Sequence, residues 1–386
     1  MQSDQGRLTG LGSAEPAGIG IIGCGNIADR YVTGMRRFDT LEIVGCADIF
    51  PAAAAALAER SGIRAYASPE ELLADPAIDI VVNITTPNAH EQVTLEILRA
   101  GKHVYVEKPI TVDPASAAGV LDAAAAAGLR VGAAPDTFLG STSQTARAAI
   151  DEGLIGDVIG AVACIRYSRA EEWHPDPTFL FQEGGGPSLD LGPYYVSALV
   201  NLLGPVSEVS AFSRIGAPTR TVTASERRVD SVEVTVPTHA SASLRFAGGA
   251  VVTLISSFDI WDTDIPFIEL HGTKGALQMG DPNEYDTEVR VRLHSDDDWR
   301  TLPPAFPLTG EPGTPEQILR GIGVDDLVGA LRGGPHRASG ELALHVLEVL
   351  AAIDRSSAEH SVISIASSAE RPAPVRDTTL AEELAF

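Results

Sequence analysis

The feature that most restricts the fold of this chain is Gly23-Cys24-Gly25-Asn26-Ile27-Ala28, a GxGxxA turn set between an apolar strand and a helix. Ahead of it, Gly18-Ile19-Gly20-Ile21-Ile22 has the composition of a buried strand. Behind it, a helical segment continues to about Phe38. The glycines permit a tight turn and a close approach of backbone to a pyrophosphate, which the helix N-terminus then faces. Gly23, Gly25, Asn26 and Ile27 are the cofactor-binding candidates of this turn. Alone the pattern is weak, and residues further along the chain give it weight.

A second strand, Leu41–Ala47, ends in Asp48, 25 positions after Gly23. That is near the spacing expected of an acid that binds the adenosine ribose. Its carboxylate would accept both ribose hydroxyls and repel a 2′-phosphate, and no basic residue occurs in Ile49-Phe50-Pro51, so NAD is expected over NADP. The competing role for Asp48 is a helix N-cap before Pro51. An alanine-rich helix (51–60), a short strand near 64–66 and a helix at 69–74 come next. The buried strand Ile78–Ile84 then runs into Thr85-Thr86-Pro87-Asn88-Ala89-His90, where Thr85, Pro87, Asn88 and His90 are candidate contacts to the cofactor. Asn88 is equally suited to cap the next helix.

Gly101-Lys102-His103-Val104-Tyr105-Val106-Glu107-Lys108-Pro109 reads as a strand (103–107) that Pro109 stops. It fixes the Lys108 ammonium beside the Glu107 carboxylate at a strand's carboxyl end, where open parallel sheets bind ligands. A lysine there is a permanent cation or an acid–base group; the alternative is a capped strand end with a salt bridge. A helix at 114–128 and a strand at 130–134 complete a strand–helix alternation over 18–135, which implies a doubly wound parallel sheet.

Beyond Asp136 the pattern changes. A linking helix (139–152) precedes longer strands at 158–168, 208–214, 231–236, 240–246 and 251–258, and a strand–turn–strand at 268–277. Residues 281–322, rich in Pro, Gly and Asp, read mostly as excursion loops, and helices at 325–331 and 341–353 close the chain. The expected organisation is a loose tail (1–17), a Rossmann domain (18–136), and an α+β domain (137–386) with an open, mainly antiparallel sheet and closing helices at 325–353. Within the second half, Gly184-Gly185-Gly186-Pro187 announces a bend and a helix start. Asp190 and Tyr194, four apart, would share a helix face as a clamp for a hydroxyl or carbonyl, although Pro193 kinks or restarts that helix. N-capping by Asp190 and core packing by Tyr194 are the alternatives. Arg166, Arg169, Trp173, His174 and Asp176 cluster before the triple glycine. Trp173 could stack on a sugar ring or simply anchor a solvated loop.

Composition excludes several function classes. Lys plus Arg total 28 and Asp plus Glu 52, a net charge of −24, which disfavours nucleic acid and anionic lipid as partners. No apolar run reaches membrane-spanning length. The N-terminus lacks the pattern of a signal peptide. Three scattered cysteines and nine dispersed histidines imply neither a disulfide framework nor a metal site, and a cytoplasmic location is expected.

The ordered set GCGNIA, Asp48, TTPNAH, AGKHVYVEKP, GGGPSLDLGPYY and HGTKGAL resembles the Gfo/Idh/MocA oxidoreductase family over roughly residues 18–355. The resemblance implies a nicotinamide dinucleotide on the N-terminal domain, including Glu107 and Lys108 in its site. It also implies Lys108 as the catalytic or substrate-hydroxyl-binding lysine, with Asp190 and the residue four later completing the site. Many members have histidine there; this chain has Tyr194, so the acid–base role lies open between Lys108 and Tyr194. Arg169, Trp173 and His174 are the looser substrate-side candidates. The implied activity is hydride transfer between nicotinamide and a hydroxyl-bearing carbon of a sugar, cyclitol or related polyol. Two other activities fit the same motifs: a glycosidase or lyase that oxidises its substrate transiently, and a non-catalytic sensor of NAD. The open sheet of the second domain would build a homodimer or homotetramer.

Overall fold

The computed structural model describes residues 15–306 and 319–375. The chain divides into two compact units, one of residues 1–139 and 308–344, the other of residues 140–307 and 345–386.

The first unit holds six strands: β1 (Ala17–Ile22), β2 (Leu41–Ala47), β3 (Arg64–Ala65), β4 (Ile80–Asn83), β5 (His103–Val106) and β6 (Val131–Ala133). They form one parallel sheet in the order β3-β2-β1-β4-β5-β6. β1, β4, β5 and β6 are buried along their whole length, as strands covered by helices on both faces must be, and this is why their sequences are apolar runs without alternation. The helices between them start and stop on local signals. Asp113 caps Pro114–Ala127 by accepting the Ser116 N–H at 2.9 Å, and Gly128 ends that helix with φ +67°.

Two expectations about boundaries change. Ala17, placed in the tail by sequence, already pairs with Leu41 in the sheet, while residues 1–14 lie outside the described ones. The helix expected at 325–331 runs Ile322–Leu331 and belongs to the first unit, not the second. The physical reason is Asp136, just after β6. It is fully buried, and its Oδ2 accepts the Gly321 and Gly323 N–H groups at 3.0 and 3.1 Å, fastening the start of that helix to the end of the sheet. Ala338 adds a carbonyl that accepts the Ala133 N–H at 3.0 Å.

The second unit holds β7 (Val158–Arg166), β8 (Val206–Arg214), β9 (Thr219–Thr221), β10 (Ser231–Glu233), β11 (His239–Phe246), β12 (Val251–Ser257), β13 (Ile268–Gly272), β14 (Gly275–Met279), β15 (Val289–Leu293), β16 (Arg300–Thr301) and β17 (Ile363–Ser364). Nine of them make a sheet in the order β16-β15-β14-β13-β7-β12-β11-β8-β17, antiparallel except where β12 runs parallel to β7. β11 shows the logic. Ala240, Ala242, Leu244 and Phe246 are buried while Ser241, Ser243 and Arg245 are exposed, the alternation of a sheet with one covered face. Helices Ser141–Asp151 and Gly192–Leu203 cover that face, touching β14 and β15 in the first case and β7 in the second.

Here too the structure departs from expectation. The stretch read as excursion loops contributes β15 and β16 to the large sheet. Val289 and Val291 face the core and Arg290 and Arg292 face out, a period of two hidden among turn-forming neighbours. The segment expected as a strand at 231–236 is shorter and pairs with β9 in a separate two-stranded sheet. Residues 307–318 of the expected loop lie outside the described ones.

Candidate active site

In the first unit the register of the sheet gathers the predicted cofactor residues on one edge. Ile22 pairs with Ala47 and with Asn83, and Asn83 pairs with Val106. Gly23, Asp48, Thr85 and the Glu107-Lys108 pair therefore leave adjacent strands side by side, at the β1/β4 position where the strand order reverses and open sheets bind ligands.

Gly23 has φ +102°, and a Cβ there would sit 2.6 Å from the Ile84 carbonyl oxygen, so only glycine fits where the turn crosses the end of β4. Gly25 and Asn26 are exposed, with nothing within 4 Å of where a Gly25 side chain would stand. Ile27 caps the helix Ala28–Met35 through its backbone. The open space over the turn fits a pyrophosphate. Asp48 Oδ2 accepts the Cys24 N–H at 2.7 Å and Oδ1 the Phe50 N–H at 2.9 Å, which ties the tip of β2 to the glycine turn. It is not the cap of helix Pro51–Ser61, whose N-cap is Phe50. Each oxygen keeps a second lone pair for a ribose hydroxyl.

Residues 85–90 divide into two roles. Thr86, Pro87 and Asn88 are exposed on a 3₁₀ turn, and Asn88 does not cap the next helix, whose N-cap is Ala89. Thr85 turns inward, its hydroxyl donating to Asn83 Oδ1 at 2.7 Å. His90 is buried, with Nδ1 2.6 Å from the Pro109 carbonyl oxygen and Nε2 3.2 Å from that of Thr85. Burial holds its imidazole below the ordinary pKa, although the two carbonyls pull the other way. The structure thus uses His90 to bind the 85–90 loop to the Lys108-Pro109 turn, and both ring nitrogens are engaged by protein.

Lys108 is the second residue after β5, is half-buried, and is joined to Pro109 by a cis peptide. Its backbone N–H donates to Glu107 Oε2 at 2.7 Å. Glu107 Oε1 accepts from the Tyr31 hydroxyl at 3.0 Å and from Arg320 Nη1 at 2.7 Å. Burial pushes the Glu107 carboxyl up. Arg320, the Lys108 ammonium and these hydrogen bonds outweigh burial and hold the group below the usual carboxylate range. Glu107 is therefore a buried anion that fixes the backbone from which the Lys108 side chain projects.

In the second unit, Gly184 and Gly186 both have φ +86°, which turns the chain into the short helix Pro187–Asp190. A second helix, Gly192–Leu203, restarts after Leu191 with Pro193 in its first turn, and it carries the buried Tyr194. Asp190 and Tyr194 thus stand on two successive helices rather than one continuous face. Asp190 is half-buried near Tyr167. Burial pushes the Tyr167 phenol up, the Asp190 carboxylate adds to this, and a hydrogen bond with Trp173 opposes it.

Among the looser candidates, Arg169 takes φ +69° and lays its guanidinium 4.5 Å from the centre of the Trp261 ring. His174 Nδ1 accepts the Asp176 N–H at 3.1 Å. Arg166 is committed elsewhere, bonded to the Ile265 carbonyl and stacked 4.1 Å over Phe267. Sequence reasoning missed Tyr31, Arg320, Asp136 and Tyr167. Tyr167 follows β7 directly, between Arg166 and Arg169 of the predicted cluster. Among the described residues no group of three His, Cys, Asp or Glu side chains converges as a metal site would.

A parallel sheet with a glycine turn at its switch point, an acid closing the second strand and a lysine closing the fifth defines a nicotinamide-dinucleotide oxidoreductase. Residues 17–134 match the oxidoreductase family with an NAD-binding Rossmann fold, GFO/IDH/MocA, and residues 143–278 match the GFO/IDH/MocA C-terminal domain. The chain belongs to the Gfo/Idh/MocA oxidoreductase family. It is 30% identical to 1,5-anhydro-D-fructose reductase of Ensifer adhaerens over 67% of this chain and 74% of that protein. It is 28% identical to D-xylose 1-dehydrogenase (NADP(+)) 2 of Haloferax volcanii over 75% of this chain and 83% of that one. In fold it is similar to levoglucosan dehydrogenase in complex with NADH and levoglucosan, with a TM-score of 0.79, 20% identity, and coverage of 91% of this chain and 100% of that structure.

Proposed function

We propose that the protein is an NAD-dependent dehydrogenase or reductase that transfers a hydride between nicotinamide and a hydroxyl-bearing carbon of a sugar, cyclitol or related polyol. The observation that carries this is the clamp on Lys108. A buried anion holds its backbone N–H at 2.7 Å and is itself held by Tyr31 and Arg320. So many buried groups spent on one strand end suit a side chain that must be aimed. The dinucleotide, when bound, supplies or takes the hydride. Gly23 lets the backbone meet the pyrophosphate, Asp48 receives the ribose hydroxyls and disfavours a 2′-phosphate, and the exposed 86–88 turn borders the nicotinamide side. Lys108 and Tyr194 hold and move the hydroxyl proton and Asp190 orients the substrate; positioned proton transfer of this kind contributes about 10²–10⁴-fold. The relatives support a sugar as substrate, since those named act on a sugar derivative and a sugar. One of them is NADP-dependent by name, so the preference for NAD rests on Asp48.

The face of the nine-stranded sheet that carries exposed Phe212 and Val251 is the surface assigned to self-association. Three free, buried cysteines suit a reducing cytoplasm.

The test is a nicotinamide-absorbance screen of sugars, inositols and aldonolactones with both cofactors. Turnover of at least one polyol with NAD preferred is expected. Product formed without net absorbance change would replace the reading with transient substrate oxidation. NAD binding without any turnover would favour a sensor.

A further inference from the structure

Residues 169–186 of the second unit form a braced segment. Thr223 and Ala224 donate their N–H groups to the Glu171 carbonyl at 2.8 and 3.1 Å, Arg228 to that of Pro175 at 2.8 Å, and Thr235 to that of Phe181 at 2.9 Å. Arg220 pairs with the Glu171 carboxylate at 3.3 Å. Beneath lies a small separate core that includes Leu180, Phe181, Val232, Val234 and Phe258, with Tyr167 packed against it. Such support holds outward side chains in fixed places.

What it holds outward is aromatic. Trp173 is 56% exposed, Phe179 58% and Trp261 72%. The rings form a run: Tyr167 to Trp173 at 6.5 Å between centroids, Trp173 to His174 at 5.3 Å, and His174 to Phe179 at 5.2 Å. Arg169, the cap of Trp173's short helix, carries Trp261 against its guanidinium. Large rings gathered on a rigid support and left in water mark a binding surface. This one adjoins Asp190, because Tyr167, whose ring stands 6.5 Å from that of Trp173, and Leu191, the residue after Asp190, pack against the same small core.

The geometry points to a second substrate subsite: Trp173, Phe179 and Trp261 receive a ring, sugar or aryl, joined glycosidically to the ring whose hydroxyl meets Asp190. The inference rests on the proposed dehydrogenase function only in taking Asp190 to face substrate. The apolar faces of pyranose and aryl rings both stack on indole and phenyl, while Arg169, His174 and Asp176 give polar edges for hydroxyls. The aromatic run takes three centroid steps, longer than one pyranose, so a free monosaccharide would leave most of it wet. The substrate it fits is a glycoside.

The experiment is titration calorimetry of the full chain with saturating NAD. Cellobiose and p-nitrophenyl glucosides, xylosides and galactosides are compared with their parent sugars, in wild type and in Phe179→Ala and Trp261→Ala, both exposed and so tolerant of truncation. Glycosides are expected to bind at least about tenfold tighter than the parents, and each variant to cut that ratio several-fold, roughly the effect of losing one ring contact. Where turnover is seen, the ratio of kcat/KM falls through KM. Equal binding of glycoside and parent, or a ratio unchanged in both variants, overturns the subsite. Glycoside binding with no turnover of any compound keeps the subsite and removes the redox reading, whereas turnover with no gain from the second ring does the reverse. If the variants dissociate an oligomer in sedimentation velocity while the ratio holds, the ledge is a contact between copies and the proposal falls.

Discussion

Replacing Glu107 by Gln is the most searching perturbation of the first unit. The substitution keeps the shape and removes the charge. It leaves Arg320, 9% exposed along its side chain and 2.7 Å from its partner, without a buried counter-ion. It also puts an amide that is half donor where three donors now converge, from Tyr31, Arg320 and the Lys108 backbone. Two unit charges about 4 Å apart at an effective dielectric near 20 attract by ~4 kcal/mol. Breaking a buried pair from one side typically costs about 3–5 kcal/mol. The agreement of the two figures sets the expectation: a loss of about 3–5 kcal/mol in the first unit, or roughly 6–20 °C in its melting temperature. Differential scanning calorimetry at neutral pH reads it. The pH dependence adds a signature. The folded-state pKa of Glu107 lies below the ordinary 4.5, so its stabilisation is present above that value and is lost as the pH falls through the lowered one. The gap between wild type and variant therefore narrows in acid. A loss under about 1 kcal/mol at neutral pH, the size of an exposed pair, or a gap that persists unchanged in acid, would refute the claim that a buried anion anchors Lys108.

The same geometry sets three further outcomes. Asp48→Ala is expected to lower kcat/KM for NAD about tenfold or more while raising the NADP-to-NAD ratio, as loss of a charged hydrogen-bond acceptor implies; a wild type that prefers NADP would contradict the role given to this acid. Gly23→Ala pushes a methyl to 2.6 Å from the Ile84 carbonyl at φ +102°, so NAD affinity by calorimetry is expected to drop about tenfold or more, and unchanged affinity would mean the turn does not meet the pyrophosphate. His103 is lowered to about 4 from 6.5 by burial, with Arg130 and His336 adding. The unfolded chain binds the extra proton between those values, so stability falls by about 3 kcal/mol as the pH drops from 6.5 to 4; His103→Asn should flatten that slope, and equal slopes would sink the assignment.

Much of the first unit is legible in sequence because β1, β4, β5 and β6 are buried along their whole length and read as short, mostly apolar runs. The candidate site residues Gly23, Asp48, Thr85 and Lys108 stand just beyond adjacent strand ends, as the parallel register expected from the sequence places them. What the sequence hides is long-range. Arg320 meets Glu107 across 213 residues, and no local pattern pairs them. Asp136 reads as an ordinary loop acid, yet the two backbone N–H groups it accepts pull helix Ile322–Leu331 back to the first unit and move the domain boundary. β15 and β16 are masked in sequence because turn-forming neighbours outweigh a short alternation. Position in their motifs puts His90 and Glu107 among the cofactor residues, while their atoms are engaged by Pro109, Thr85, Tyr31 and Arg320. A motif marks where a residue stands and leaves open which way its polar atoms face.

Lys108 is proposed to work on the substrate hydroxyl and not on the cofactor's affinity. Lys108→Ala, assayed for NAD binding by calorimetry and for single-turnover nicotinamide reduction with a responsive polyol, separates the two. NAD affinity is expected to hold within about threefold and the reduction rate to fall roughly 10²–10⁴-fold. A rate within a few-fold of wild type would contradict it.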